Sequence, residues 1–556
     1  MYKILTMKRT LIFFFLIFSF LSVTAQSLFS PSPKYEVRAV WLTTIGGIDW
    51  PHNYAQNQHA IERQQRELCD ILDRLQRAGI NQVLLQTRIR ATTIYPSAYE
   101  PWDGCLSGHP GTSPGYDALA YAIDQCHRRG MELHAWVVTI PVGKWDAIGC
   151  KRLRQRYPGL VRKIGPEGYL NPEKPQTATY LADICEEITR RYDVDGIHLD
   201  YIRYPETWSM RVSADRGRSY ITHIVETIHR RVKPLKPYIK LSCAPIGKFD
   251  DLSRYRSYGW NAYSRVCQDA QGWLRRGLMD ELFPMMYFRG EQFFPFAIDW
   301  SENAYGRIVA PGLGIYMLAP SEKDWPLDVV AREMQQLRYH RLGHTYFRSK
   351  FFTDDVKGIY RYAQHFDHAP ALVPPMTWET SHRPTAPSGL NIVDGQLQWQ
   401  HDGRVQGDTI YNVYASLSYP VDTDDGRNLV AARLCRRQIS VPSSPIPRYY
   451  AVTATNRYGI ESDPCQMPAP PTSTVERMTD MLACDGHVLT LPKRHPHWDH
   501  GTMLAVEDMT GRKMLVTPWQ DQSIRVDQLA EGMYQLRSLN ARGVTHRLGF
   551  FHIVRR

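Results

Sequence analysis

Four features are missing from this 556-residue sequence, and each absence removes a class of protein. Its ten cysteines contain no C-x-x-C pair, which removes zinc ribbons and dithiol redox motifs. No G-x-G-x-x-G follows any early strand pattern, so a dinucleotide phosphate loop is not expected. Beyond the first 25 residues no apolar run is long enough to cross a bilayer. The formal charge of +11 is scattered, with no basic stripe interleaved with aromatics, so a nucleic-acid partner is not expected. Several cysteines fall on apolar helix or strand patterns and read as buried thiols. An oxidising compartment would still permit a pair such as Cys105 with Cys150.

What is present begins with an address. Lys3, Lys8 and Arg9 precede the apolar run Leu11 to Val23, and Val23 and Ala25 occupy the −3 and −1 places of a cut after Ala25. This predicts a cleavable export signal over 1–25. The apolar core is shorter than the ~20 residues of a spanning helix. With no cysteine at the cut, the mature chain is expected to be exported without stable membrane insertion: periplasmic, outer-membrane-associated or secreted.

From Glu36 to about Phe366, short apolar strands alternate with amphipathic helices. Strands are predicted at Glu36–Thr44, Ile80–Arg88, Met131–Thr139, Val194–Tyr204, Lys240–Ile246, Glu281–Phe288, Arg307–Met317 and Thr345–Phe351. Helices are predicted between them, for example over His59–Ala78, Gln176–Tyr192 and Ala214–Val232. Eight such units predict an α/β fold, a (β/α)8 TIM barrel over 35–370, with long loops after the strands. A proline-punctuated linker, His382 to Pro387, then leads into short alternating runs over 384–468. A last alternating block covers 472–556. Two all-β sandwich domains are expected there.

The barrel is organised around Asp195-Gly-Ile-His-Leu-Asp-Tyr-Ile-Arg-Tyr-Pro205. With period two, Ile197, Leu199 and Tyr201 face the helices, while His198 and Asp200 face inward. Pro205 ends the strand. An unpaired ionised carboxylate in that position is costly to bury. It reads either as a cap paired with Arg203 or as a catalytic carboxylate at the carboxyl end of a barrel strand.

Three segments carry a family resemblance: Glu36-Val-Arg-Ala-Val-Trp-Leu-Thr-Thr44, Tyr95-Pro-Ser-Ala-Tyr-Glu-Pro-Trp102 and Asp195 to Pro205. The stretch 35–366 resembles the glycosyl hydrolase-like family ten, whose members include a divisome-localised glycosidase of peptide-free peptidoglycan strands. The resemblance implies glycoside hydrolysis on a TIM barrel, with Asp200 on the matching carboxylate of the fourth strand. Met285-Met-Tyr-Phe-Arg-Gly-Glu291 departs from the commoner Pro-Gln-Ile-Tyr-Trp after the sixth strand. The run from Leu397-Gln-Trp399 to Tyr450 resembles a fibronectin type III sandwich, and 472–556 resembles the C-terminal sorting domain of type-nine secretion cargo.

Glycoside hydrolysis generally uses two carboxyl groups. Asp200 is expected to be the nucleophile or base, with His198 and Arg203 orienting or tuning it. Glu291 is ranked first as the second acid, ahead of Asp103 and Asp250. Gln86, Arg88, Trp136, Trp41, Trp102, Asp103 and Tyr287, together with His198 and Arg203, are expected to bind or stack on sugars of a polysaccharide substrate. No cofactor is implied. A metal-dependent barrel using His134, His198 and Asp200 lacks the His-x-His pair expected on the first strand. The tail cluster His495-Pro-His-Trp-Asp-His500 reads as a polar turn. The remaining rival is a barrel that binds glycans without cutting them.

Overall fold

The computed structural model describes residues 32–402, 409–441, 448–468, 481–491, 503–508, 511–519, 522–539 and 545–555. The expected export signal and the cluster His495–His500 lie outside the described residues. The chain divides into two compact units, the second built from residues after Met467 together with a short inserted segment, 442–448.

In the first unit, eight parallel strands follow one another around a closed ring. They are β1 (Arg38–Leu42), β2 (Gln82–Arg88), β3 (Glu132–Val138), β4 (Gly196–Asp200), β5 (Lys240–Cys243), β6 (Glu281–Leu282 continuing at Met285–Met286), β7 (Ile308–Val309 continuing at Gly312–Leu313) and β8 (His344–Tyr346). Each pairs in parallel with the next, and β8 returns to pair with β1 through Arg38 opposite His344. The broken strands β6 and β7 hold the seam, their first halves pairing with each other and the second half of β7 with β8. The architecture is a TIM barrel.

A helix follows each strand. They are α1 (Gln58–Arg77), α2 (Ala118–Arg128), α3 (Pro175–Arg191), α4 (Ala214–Val232), α5 (Ala270–Arg275), α6 (Phe294–Glu302), α7 (Leu327–Tyr339) and α8 (Ile359–Phe366). The first shows why the pattern was readable. Asn57 caps it by accepting from the amide of Ala60 at 2.9 Å, and Leu68, Leu72 and Leu75 form one buried stripe against the strands. Each such leucine contributes roughly 1.5–3 kcal/mol of burial. The outward strand residues, including Ile197 and Leu199, join this helix-facing core. The inward residues Trp41, Leu84, Trp136, Val138, Phe283 and Ala310 fill a second core inside the ring.

The amino end of the ring is closed by charges. Arg38 donates to Glu36 at 2.7 Å, and Arg338 on α7 pairs with both Glu36 and Asp367 at 2.6 Å. His344 lies 3.2 Å from Asp367. The segment beginning Glu36-Val-Arg38 therefore rivets β1 to α7, β8 and the end of α8. The Tyr95–Trp102 segment is likewise structural. Ser97 Oγ and the Ala98 amide donate to Glu187 on α3 at 2.6 Å, and the Tyr95 hydroxyl donates to it at 3.0 Å.

Two predicted strands end early, and two further features come with the structure. The predicted strand Val194–Tyr204 ends at Asp200, because Tyr201 takes a left-handed φ of +53° that breaks the extended run. The eighth strand stops at Tyr346, and Ser349–Thr353 is a helical turn. The loop after β3 carries an unforeseen antiparallel insert of Pro141–Lys144, Val161–Ile164 and Glu167–Leu170. Cys105 and Cys150 are separate buried thiols.

After the barrel, Ser388–Val393, Gln396–Gln400 and Gln438–Ser440 form one antiparallel sheet. Leu429–Leu434, Ile410–Ser416, Tyr449–Thr455 and Cys465–Gln466 form a second. Trp399 and Tyr450 share the core between them. Leu429–Leu434 and Gln438–Ser440, only three residues apart in the chain, thus lie in different sheets. Both sheets belong to the first compact unit and meet the amino end of the barrel, where Arg433 donates to Glu132 and Asp195 at 3.1 Å and Arg457 donates to Asp193 at 2.7 Å. The second unit holds an antiparallel sheet of Lys513–Pro518, Met503–Asp508, Gly532–Leu539 and Thr545–Ile553 around Leu504, Val506, Leu536 and Phe551.

Candidate active site

β4 ends at Asp200, the carboxylate singled out in the sequence. The strand lies between β3 and β5, and Gly196 begins it because a Cβ there would stand 2.3 Å from the His134 ring. Asp200 follows four residues later and is 8% exposed. The indole N–H of Trp136 donates to one carboxylate oxygen at 3.1 Å, and the Tyr201 amide donates to the other at 2.7 Å. Thr139 fixes the Asp200 carbonyl through its amide at 2.9 Å and its hydroxyl at 2.8 Å. Burial raises the pKa of this carboxyl above the usual aspartate value. Arg203, the Tyr201 amide and Trp136 offset that only in part, and Glu206 adds to it.

The left-handed turn at Tyr201 swings its ring inward, against the alternation, to pack with the core inside the ring. It also brings back the Arg203 guanidinium, whose carbon lies 4.2 Å from the Tyr201 ring centre. Arg203 is buried and pairs with Glu206 at 2.6 Å, while its Nε has no hydrogen-bond partner. The Tyr287 hydroxyl is also buried without a partner. Tyr287 stacks on Phe347 at 5.2 Å and meets Tyr316 edge-on. Burial, then the charge of Asp200, pushes its phenol well above its usual value. Two unspent donors therefore stand around one buried carboxylate.

Beneath them is a packed floor. The Trp41 indole donates to His198 Nε2 at 3.1 Å, which places the imidazole proton on Nδ1, 3.0 Å from the Ser242 hydroxyl. Burial, then the nearby His134, holds His198 well below the usual histidine range, so it is neutral. Both its nitrogens are engaged, which leaves none for a metal. Trp41 packs edge-on against Phe283 and Phe347 and needs Gly312, where a Cβ would stand 2.9 Å from its ring. Trp41 and His198 hold the floor up rather than facing a ligand.

Several other expected sugar contacts have structural partners. The Gln86 amide oxygen accepts from the amides of Thr44 and Ile45 at 3.0 and 2.9 Å, shaping the turn after β1. Arg88 is fully buried between β2, β3 and α3, donating to Glu100 at 2.6–3.0 Å and to the Thr139 carbonyl at 2.9 Å. Asp103 caps a short helix through the Cys105 amide and accepts from Thr92. Trp102 is half-buried against the helix-facing core. Asp250 is bound by Asn261 and Ser264. Glu291 is exposed on a turn after β6. Glu206 is not among the acids expected from the sequence. Its one available signal was the i,i+3 spacing from Arg203, beyond a strand-ending proline.

A family model described as Glycosyl hydrolase-like 10 matches residues 36–216 and 210–317. Glycosyl hydrolase YngK of Bacillus subtilis is 25% identical over 472 residues, covering 77% of this chain and 92% of that protein. Glycosyl hydrolase DigH of Escherichia coli K12 is 28% identical over 287 residues, 45% of this chain and 65% of DigH. The PgaB (BpsB) glycoside hydrolase domain from Bordetella bronchiseptica superposes with a TM-score of 0.43 at 15% identity, covering 61% of this chain and 100% of that one.

Proposed function

The chain belongs to the Glycosyl hydrolase-like 10 family, and from that membership we propose that it is an exported glycoside hydrolase cutting a polysaccharide, foremost peptidoglycan glycan strands. One observation carries the reading. Asp200, at the carboxyl end of β4, is a buried carboxylate with a raised pKa, and partnerless donors from Tyr287 and Arg203 lie in the same cluster. Tertiary packing holds such unspent polar atoms in place at a free-energy cost, which a substrate's hydroxyls would relieve.

In this reading Asp200 acts as nucleophile or general base at the anomeric carbon or at the attacking water. Trp136 and the Tyr201 amide fix its orientation, one donor per oxygen. The acid that protonates the leaving oxygen is Glu206 or Glu291. Glu206 is favoured on position, because its charge reaches Asp200; to serve as the acid it must release Arg203 and take up a proton as substrate enters. Glu291, the acid first expected from sequence, stands exposed on its turn and would need substrate to bring it into play. We read the two-sheet module after the barrel as fibronectin type III-like, and the terminal unit as a sorting domain that directs export.

The test is a digest of peptide-free peptidoglycan strands, read as new reducing ends. Wild type should release them, Asp200→Asn should abolish release, and Glu206→Gln should lower it by about 100-fold or more while Glu291→Gln changes it little. Strands retained but never cut by the wild type would replace the hydrolase with the glycan-binding alternative.

A further inference from the structure

The loop after β5 combines exposed aromatic side chains with a closely bonded backbone. It exposes three large aromatic side chains, Tyr255 at 49%, Tyr258 at 71% and Trp260 at 55%. Exposed aromatics on a loop usually accompany loose backbone, yet this backbone is pinned. Its ends are joined where the amides of Ala262 and Tyr263 donate to the carbonyls of Lys248 and Phe249, both at 2.8 Å. Its middle is held from below by Lys248, which is buried. The Lys248 ammonium donates to the Tyr258 carbonyl at 2.9 Å and to the Gln292 side chain, and Gln292 donates to the Arg256 carbonyl at 3.1 Å. The same ammonium lies 5.2 Å from the Tyr258 ring centre. Ser257 is fixed to Asp251 at 2.6 Å. A closed, internally bonded loop of this kind is a rigid display surface.

Arg254 and Arg256 alternate with the aromatics and are exposed. Neither guanidinium enters an ion pair among the described residues. The loop leaves the carboxyl end of β5, the strand beside β4 and Asp200. We propose that it is a glycan platform at the rim of the cleft, on which Tyr255, Tyr258 and Trp260 stack on pyranose rings while Arg254 and Arg256 select strands that carry carboxylates. Flat aromatic faces match the apolar faces of sugar rings at little conformational cost, and a forked guanidinium matches a carboxylate. A strand bound at Asp200 would thus be gripped beyond the cutting site. The occupant rests on the glycosidase reading; the platform itself rests on the loop.

The experiment uses the full-length Asp200→Asn protein, so that binding is read without turnover. Its probes are peptide-free peptidoglycan strands, which carry a carboxylate on alternate sugars, and neutral chito-oligosaccharides. Tyr258→Ala with Trp260→Ala should weaken binding of both probes by about tenfold or more. Arg254→Gln with Arg256→Gln should weaken only the carboxylate-bearing strands, and should flatten the salt dependence of their binding. Trp260→Phe should retain affinity, which separates stacking from damage to the loop. Binding unchanged in the aromatic double variant, or no binding of either probe by the parent, overturns the platform. Unchanged binding in the arginine double variant overturns the selection for carboxylates. If the active protein releases no reducing ends but the variants lose binding as stated, the platform stands and the hydrolase falls.

Discussion

At the amino end of the barrel Glu132, Asp195 and Asp367 are buried carboxylates, and at the carboxyl end Asp200 is another. Burial alone would raise all four. Lys240 and Arg433 hold Glu132 below the carboxylate range, His127 and Arg433 do so for Asp195, and Arg38, His344 and Arg338 for Asp367. Asp200 has a weaker escort, because Arg203 spends its ion pair on Glu206 and offsets burial only in part. Its pKa stays raised. The two ends bury the same chemical group with opposite electrostatics. Glu281 marks the boundary. It lies among the lower acids yet stays raised, since burial outweighs His134 and Lys240 and Glu132 already takes Lys240's hydrogen bonds.

The largest effect that would break this contrast is on folding. Asp367→Asn leaves Arg38, Arg338 and His344 facing a neutral amide, and should lower the unfolding free energy by about 3–5 kcal/mol. The surviving folded fraction should keep its turnover. Asp200→Asn should do the reverse, removing turnover while leaving the denaturant midpoint unchanged or slightly raised, because a costly buried charge is gone. Urea titrations beside reducing-end assays read both. A stability loss in Asp200→Asn as large as that in Asp367→Asn would erase the distinction between the two ends.

Acid separates the ends more finely. A carboxyl whose folded pKa is depressed adds stability above its unfolded value, near 4, and that stability is lost as pH falls through the folded value. Glu132, Asp195 and Asp367 therefore protect the fold until well below pH 4. The pKa of Asp200 is raised, so its ionised form is lost above the ordinary aspartate value, and activity should fall first on acidification. There should be a window near pH 4 where circular dichroism is native and turnover is strongly reduced. Coincident loss of signal and activity would contradict the assigned directions.

Much of the fold could be read in the sequence, and less of the site. α4 falls where it was expected, at Ala214–Val232, because an amphipathic stripe and the Ser213 cap define both face and start. β4 could be located because Ile197 and Leu199 are apolar on one face only. What failed was local. Tyr201 and Arg433 adopt left-handed backbone that no residue-type pattern announces, and each redirects a strand. Arg88 and Gln86 are polar at strand ends, which in sequence looks like a binding site. Their actual partners, Glu100 and the Thr44 and Ile45 amides, are brought up by loops whose path the sequence does not encode locally. Glu206 was missed for the same reason, since it reaches the site only through the turn at Tyr201.

The smallest predicted effect concerns Arg433, which joins the strands after the barrel to the amino end. Arg433→Ala removes two charge-assisted hydrogen bonds, but Glu132 keeps Lys240 and Asp195 keeps His127. No buried carboxylate is left bare, so the loss should be about 1.5–3 kcal/mol, below that for Asp367→Asn. The variant has a second readout. Burial opposes protonation of His127, Asp195 favours it, and Arg433 opposes it by like charge. Removing Arg433 should therefore move the His127 titration, followed by NMR, to higher pH. Turnover should hold near the wild-type level, because the change lies at the amino end and Asp200 keeps both donors. A fall in turnover matching the fall in stability would mean that the strands after the barrel act on the cleft, and that the two ends are coupled rather than independent.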